Sequence, residues 1–333
     1  MNPVLAYLLP RTGSWVSGME VSKELGISRA AVWKHIHKLR ALGCTIETSP
    51  RHGYRLTAGG DILAPETIDI RTKILGTCIV FSESVTSTNE VATKMARSAK
   101  DGTLVLSLIQ TAGMGRLQRS WSSPPGGIWM SLILKPEIPP VLSPRIGMMA
   151  AVAVASALRR AGFHAKIKWP NDILIGDRKV CGILIELGAQ MDRLEYAVVG
   201  IGINANVNDE ALLEECGATS LGKELGRTVD RSEIISCVLE ELELRYLGLG
   251  AEFQEIHREW EAFSATLGQE VMVIGWSGNG DLAGKAESLD QDGALIVGTS
   301  QGLVRVLAGD CRHLRPLNRS GCRSTAARPG SEI

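Results

Sequence analysis

Residues Gln110 to Trp121 read QTAGMGRLQRSW, placing small flexible residues, the guanidinium groups of Arg116 and Arg119 and a closing tryptophan on one short stretch. Backbone N–H groups and guanidinium forks are the donors that suit an anionic ligand held beneath a folded-over loop. The same composition also fits a mobile surface segment. Two other glycine-rich chemistries are excluded by context. A P-loop needs Gly-Lys-Ser/Thr opening a helix, and a dinucleotide fingerprint needs its glycines on a strand-to-helix turn. Here LVLSLI (Leu104–Ile109) precedes the loop as a buried strand, and after the turn SSPPGG a second strand follows.

Three other groups offer chemistry. Ser87, Thr88 and Asn89 open a helix, TSTNEVATKMARSA, with Ser87 and Glu90 spaced as a capping box. Their side chains lie where backbone donors are also free, which suits a polar ligand or simple capping. Trp169-Pro170-Asn171-Asp172 forms a rigid turn just after Lys168, and Lys179 begins the second strand of a hairpin turning at Gly176-Asp177-Arg178. Pro-Asn-Asp is ordinary turn chemistry. Flanked by Lys168 and Lys179, it also suits polyphosphate with Mg²⁺, a cation that takes oxygen ligands. Tyr196 to Val207 reads as a core strand ending at Asn204 and Asn206; a strand surrounds its GIGIN, so it is not a dinucleotide motif.

These groups need a scaffold, and 333 residues with 44% hydrophobic and 22% charged content supply two or three globular domains. Lys+Arg and Asp+Glu are both 36, so no net field advertises nucleic acid. The sign is uneven, however: residues 1–60 carry eight Lys/Arg against three Glu. The seven cysteines are scattered without a CxxC pair, as expected of reduced thiols rather than a disulfide framework or zinc site. The amino terminus lacks a basic region before its short apolar run, and Ile146–Leu158 is too short to span a bilayer. A cytoplasmic protein without membrane contact is expected.

In the first sixty residues, Val4 to Leu9 make a short helix and Ser17 with Glu20 a capping box for a second. Ser28 caps a third, RAAVWKHIHKLRAL, which stops at Gly43. Val32, Ile36, Leu39 and Leu42 share its apolar face, while Arg29, Trp33, Lys34, His37 and Lys38 lie opposite. Two strands joined by Pro-Arg-His-Gly follow, placing Arg51 at a hairpin tip. This order reads as a winged helix-turn-helix with Ser28, Arg29, Trp33, Lys34, His37 and Arg51 facing DNA. A helical protein-binding module with a solvated basic face is the alternative.

A Gly-Gly and Pro linker places a boundary near residue 62. Beyond it strands (the first over Thr77–Phe81) alternate with helices, Arg145–Gly162 forms a long buried helix, and residues 209–262 are mainly helical. From Gly268 the apolar and polar residues alternate between Gly-rich turns, as in a small antiparallel barrel. From about Asn318 a polar tail is expected to lack structure. The domains are therefore 1–62, 63–266 and 267–317, with a tail over 318–333.

Taken in order, the winged helix, S-T-N at a helix start, the glycine-arginine loop closing on Trp121, K-W-P-N-D, R-K-x-x-G-I-L-x-E, G-I-G-I-N and the small barrel resemble the bifunctional biotin–protein ligase and biotin operon repressor family over nearly the full chain. The resemblance implies an α+β multidomain protein: a winged helix-turn-helix, a class II synthetase-like mixed α/β catalytic domain and an SH3-like barrel. It implies biotin contacts at Ser87, Thr88, Asn89, Gln110, Met114, Gly115, Arg116, Trp121, Lys179 and Gly182. ATP contacts fall at Arg116, Arg119, Lys168, Asn171 and Asn204, with Asp172 holding Mg²⁺ and Arg116 and Lys179 as catalytic cations. The implied reaction forms biotinyl-5′-AMP and passes biotin to a lysine of biotin carboxyl carrier protein. The adenylate would also serve as corepressor, dimerising the protein on the operator DNA of biotin synthesis genes.

The family loop usually reads GRGRxGRxW, and this chain reads GMGRLQRSW. Met114 replaces an arginine, Gln118 a glycine and Ser120 a common basic residue. Retained Arg116 and Arg119 imply retained activity, with weaker hold on the adenylate where one cation is lost. Two alternatives stand beside this expectation. One is a ligand-sensing DNA-binding regulator with weakened or lost ligase activity. The other is a lipoate–protein ligase, a family without the winged helix or Trp-closed loop.

Overall fold

The computed structural model describes residues 2–41, 44–57, 61–190, 193–250, 253–276 and 280–314. The expected helix stop at Gly43 and the tail over 318–333 lie outside them.

The first unit comprises α1 (Pro3–Leu8), α2 (Gly18–Leu25), α3 (Arg29–Ala41) and the antiparallel hairpin β1 (Ile46–Ser49) and β2 (Gly53–Leu56). Its core joins Val4, Leu5 and Leu8 to Val21, Val32, Ile36, Leu39, Ile46 and Leu56. Ser28 Oγ accepts the Ala31 N–H at 3.1 Å and so caps α3. Of the expected capping box at α2, the serine half forms: Ser17 Oγ accepts the Glu20 N–H at 3.0 Å, while the Glu20 carboxylate turns to the Tyr7 hydroxyl at 3.0 Å. Arg40 fastens α3 to the hairpin, its Nε donating to Ile46 O at 2.9 Å.

The central unit is a seven-stranded mixed sheet ordered β3-β4-β5-β9-β8-β7-β6. The strands are β3 (Ile79–Val85), β4 (Thr103–Gln110), β5 (Ile128–Leu134), β6 (Ala165–Lys168), β7 (Asp172–Ile175), β8 (Arg178–Gln190) and β9 (Arg193–Ile203). Only β3 and β4 pair in parallel. Strand β3 thus starts and ends later than Thr77–Phe81. As an edge strand bonded on one side it keeps polar Ser82, Glu83 and Ser84 in register, which a buried strand would not. The hairpin turn is Gly176-Asp177, since Arg178 already pairs with Ile175.

The sheet's two faces follow the period of two along each strand. Leu104, Leu106, Leu132, Leu134, Val199 and Ile201 pack toward α5 (Pro144–Arg160), beside α8 (Arg231–Leu247) and α9 (Phe253–Phe263). Val105, Ile133 and Val198 face the other way, against Ala92 and Ala96 of α4 (Thr88–Met95) and the residue after it. The stretch Pro140–Arg160 is long and apolar enough to cross a bilayer, but Ile146, Met149, Val152 and Leu158 are wholly buried in the protein. Burial of that kind marks a core helix. Short helices α6 (Glu210–Glu215) and α7 (Leu221–Leu225) lie between β9 and α8.

The third unit is a five-stranded antiparallel sheet ordered β13-β12-β11-β10-β14: β10 (Glu270–Ile274), β11 (Leu282–Leu289), β12 (Leu295–Thr299), β13 (Gly302–Val306) and β14 (Asp310–His313). Its Val271, Val273, Leu295 and Val306 join the central core cluster.

Candidate active site

Every residue expected to meet biotin or ATP lines one cleft of about 340 Å³ on the α4 side of the sheet. The helix start supplies one wall. The Ser87 side chain accepts the Glu90 N–H and caps α4; the Glu90 carboxylate turns to the Thr86 hydroxyl and Lys94, so this capping box too is half formed. Gln110 Oε1 accepts the Thr88 N–H at 2.8 Å, and Gln110 Nε2 donates to Ser123 Oγ at 2.7 Å. Asn89, expected to face ligand, has its amide bonded at both ends within the protein: Nδ2 donates to Glu186 Oε2 at 3.2 Å and Oδ1 accepts from Ser131 Oγ at 2.6 Å.

The floor is a row across four strands. Trp129 of β5 pairs with Gly202, Gly202 with Gly182, and Gly182 with Asp172. The two glycines lie side by side and leave a flat patch for the Trp121 indole. A Cβ on Gly202 would stand 2.7 Å from Trp121 Nε1, and one on Gly182 2.9 Å from Trp121 Cζ3. Among the described residues Trp121 Nε1 is buried without a hydrogen-bond partner, a donor left unsatisfied on a residue that lines the cleft.

Lys179 reaches this face through a β-bulge. Asp172 pairs with Gly182, Ile173 with Cys181, and Leu174 with Lys179, so Val180 is the extra residue. Three positions apart in a regular strand, Lys179 and Gly182 would point to opposite faces; the bulge puts them on one. Lys179 Nζ consequently sits 2.6 Å from Asp172 Oδ1 and 4.9 Å from the Trp121 ring centroid.

The glycine-arginine loop stands over the cleft as a small hairpin. Met114 pairs with Ser120, Gly115 N–H donates to Arg119 O at 2.8 Å and Trp121 N–H to Gly113 O at 2.8 Å. Its tip uses left-handed backbone at two non-glycine residues, Leu117 (φ 56°) and Gln118 (φ 57°). Arg116 Nη1 donates to Asn171 Oδ1 at 3.3 Å and to Gly309 O at 3.4 Å. Burial lowers the Arg116 pKa from its ordinary value, against the opposing pull of Asp172 and Asp310; a guanidinium keeps its charge regardless. Arg119 pairs with Asp310 at 2.9 Å, which raises its pKa.

The third unit therefore joins the site, which sequence reasoning missed. Besides Gly309 and Asp310, Gly293 O accepts from Trp169 Nε1 at 3.1 Å, and Thr266 Oγ1 accepts the Trp169 N–H at 3.0 Å. These bonds hold the Trp169-Pro170 segment, joined by a cis peptide, beside Asn171. Asn171 in turn braces β8 through Nδ2 to Ile183 O at 2.6 Å. Asn204 lines the cleft with Nδ2 on Thr219 O at 3.1 Å, whereas Asn206 turns away to bond Asp61 Oδ2 at 2.6 Å. Also missed were Gly202, Ser131 and Glu186. A Gly-x-Gly repeat inside a strand was the available signal for close approach.

On the first unit, Arg29, Trp33, Lys34 and His37 are exposed on α3 and Arg51 on the β1–β2 turn. Trp33 and His37 stack with ring centroids 4.0 Å apart. Lys38, placed by sequence on the same face, instead pairs with Glu83 of β3 at 2.5 Å.

Three family profiles match in order: an HTH domain over residues 2–55, the biotin/lipoate A/B protein ligase family over 81–204 and the biotin protein ligase C-terminal domain over 266–314. The bifunctional ligase/repressor BirA of Bacillus spizizenii is 38% identical across 92% of this chain and 96% of its own. That of Bacillus subtilis is 38% identical across 89% and 93%. The solved biotin protein ligase from Aquifex aeolicus in complex with biotin and ATP superposes with a TM-score of 0.63 at 28% identity, covering 72% of this chain and all of that one. With the same three units in the same order, this chain belongs to the bifunctional ligase/repressor family of biotin protein ligases.

Proposed function

We propose that the cleft joins biotin to AMP and passes it to a lysine of biotin carboxyl carrier protein. The observation that carries this reading is the meeting of the polar α4 start, the unpartnered Trp121 indole and the cations Arg116, Lys168 and Lys179 in one cleft. A biotin carboxylate oxygen attacks the α-phosphorus of ATP, and pyrophosphate leaves. Two anions must approach, so Arg116 and Lys179 offset their repulsion and stabilise charge on the pentacoordinate phosphorus. Mg²⁺ enters with ATP as part of the substrate. Among the described residues no three His, Cys, Asp or Glu side chains cluster as a metal site. One carboxylate, Asp172, together with the phosphates suits Mg²⁺, and Asn171, Arg119 and Asn204 border the nucleotide.

The mixed anhydride product hydrolyses readily, and the loop hairpin over the cleft excludes water from it. The acceptor's ε-amine then attacks the acyl carbon, AMP leaves and the amine loses a proton. None of these steps uses an enzyme nucleophile. Cys181 and Cys311, near the cleft, are buried, and burial pushes the Cys311 thiol up to about 11.

The α3 face and Arg51 bind operator DNA of biotin synthesis genes, with biotinyl-5′-AMP as corepressor and a homodimer as the bound form in the cytoplasm. The domains run 1–62, 63–266 and 267–317, the second of class II synthetase type and the third an SH3-like barrel. One experiment tests the catalytic reading: biotin-, ATP- and Mg²⁺-dependent labelling of a purified carrier domain by the full chain and by Lys179→Gln. Labelling slowed about a hundredfold or more by the substitution is expected. Biotin binding without labelling of any acceptor by the unsubstituted chain overturns it in favour of a sensor.

A further inference from the structure

We infer that Ser131 and Glu186 are positioning residues for biotin: they lock the Asn89 amide, and through it the start of α4, in the orientation that presents Thr88 to the ligand. The inference rests on the biotin-binding reading of the cleft. Ser131 belongs to β5 and is fully buried; it pairs with Gly200 of β9. Glu186 of β8 pairs with Val198, one step along the same face. Both reach α4 across the sheet.

Proton bookkeeping fixes the directions. Ser131 Oγ lies 2.6 Å from Asn89 Oδ1 and 2.8 Å from Thr88 Oγ1, and its hydroxyl carries one proton. An amide oxygen can only accept, so that proton goes to Asn89. The contact to Thr88 is then made by the Thr88 proton, leaving Thr88 Oγ1 with lone pairs for a ligand N–H. Gln110 Oε1, with two lone pairs, accepts the Thr88 backbone N–H and lies 3.1 Å from Thr88 Oγ1 as a second acceptor for the hydroxyl proton; with either acceptor the Thr88 lone pairs stay free.

Glu186 secures the other end. Its Oε2 accepts from Asn89 Nδ2 and from Thr93 Oγ1, each at 3.2 Å. Asn89 and Thr93 lie four apart on one helix face, so a single carboxylate oxygen sets the rotation of α4 about its axis. A flipped Asn89 amide would aim its oxygen at the carboxylate and its NH₂ at Ser131. Gly200 makes room for the amide, since a Cβ there would fall 2.1 Å from Asn89 Oδ1. The polar end of α4 therefore reaches the cleft preset: Thr88 accepts, and the N–H–C=O edge of a cyclic urea supplies the matching donor.

The test compares Glu186→Leu, Glu186→Gln and Ser131→Ala in the full chain. It reads biotin Kd by calorimetry, KM for biotin and for ATP, kcat and Tm. Glu186→Leu and Ser131→Ala should raise biotin Kd and KM about tenfold while KM for ATP and saturated kcat stay within about twofold. Glu186→Gln keeps a carbonyl acceptor and should bind biotin nearly as well as the unsubstituted chain. Unchanged biotin Kd in Glu186→Leu at unchanged Tm overturns the inference. So does a parallel rise in both KM values with a falling Tm in Leu and Gln variants alike, the mark of a general structural role. If Ser131→Ala does not fold, the Leu–Gln pair decides alone. An unsubstituted chain that binds no biotin overturns the underlying reading, and this inference with it.

Discussion

Arg119 Nη2 donates to Asp310 Oδ2 across 2.9 Å, tying the loop over the cleft to a strand of the third unit. Burial would raise the Asp310 pKa, but the Arg119 hydrogen bond and the charges of Arg119, Arg312 and Lys168 outweigh it and hold the group below its ordinary value. A carboxyl depressed in the folded state contributes above its unfolded pKa, about 3.9, and loses that contribution as pH falls through the depressed value. The loop contact should therefore be intact at neutral pH and weaken only in strong acid. Arg119 is largely exposed, so the pair is weak; Asp310→Asn should speed adenylate release by less than about fivefold at pH 7. Stopped-flow chase of preformed adenylate measures it.

Gln118 occupies left-handed backbone that a glycine takes freely, at a cost of roughly 1–2 kcal/mol for a residue with a Cβ. Gln118→Gly relieves that cost and adds back roughly 0.5–1 kcal/mol of chain entropy. The net effect should be a loop slightly more protected in its hairpin form. Hydrogen exchange at Gly115 and Trp121, whose N–H groups close the hairpin, should slow, and faster exchange would show the tip to be unstrained.

Gly202→Ala sets a methyl 2.7 Å from Trp121 Nε1 and must displace the indole. Overpacking of this kind costs about 1–3 kcal/mol, so carrier labelling should fall roughly fivefold to a hundredfold with the fold intact. Trp121 emission should shift with it. Native-like labelling would mean that the indole does not rest on the glycine patch during turnover.

On the first unit, Arg29→Ala and Arg51→Ala should each weaken operator binding and flatten the dependence of log K on log salt by about one. Lys38→Ala should change the slope less, because Lys38 is engaged with Glu83. Fluorescence anisotropy at several salt concentrations, on promoter duplex from a biotin synthesis gene, separates these outcomes.

The three units were legible because their signals are local, while the residues of the cleft came from the order of motifs shared with the family. Ser28 caps α3 from its own sequence neighbourhood, and the apolar period of Leu104–Ile109 marks a strand wherever it packs. What escaped is made by pairing between distant segments. Asn89 lines the cleft, but the bonds that take both ends of its amide come from Ser131 and Glu186, brought to it by two other strands. Asn206 was expected with Asn204 at a strand end, but it is drawn to Asp61, far back in the chain. Lys38 sits on the helical face its spacing gives and is still claimed by an edge strand. Asp310 carries no sequence signal at all; only docking of the third unit sets it against Arg119.

The bulge at Val180 makes the local pairing register, rather than residue identity, the constraint at that point. Another apolar residue of similar volume in its place keeps the lysine aimed across the cleft, for the extra position in the strand survives. Straightening the strand with all its residues kept would instead pair Val180 with Leu174 and turn Lys179 through the sheet to the helix-packed side, where an ammonium has no water and no carboxylate. Two relatives can therefore differ freely in the letter between lysine and cysteine, and even a one-residue gap there leaves the lysine on the cleft face, two positions from the glycine.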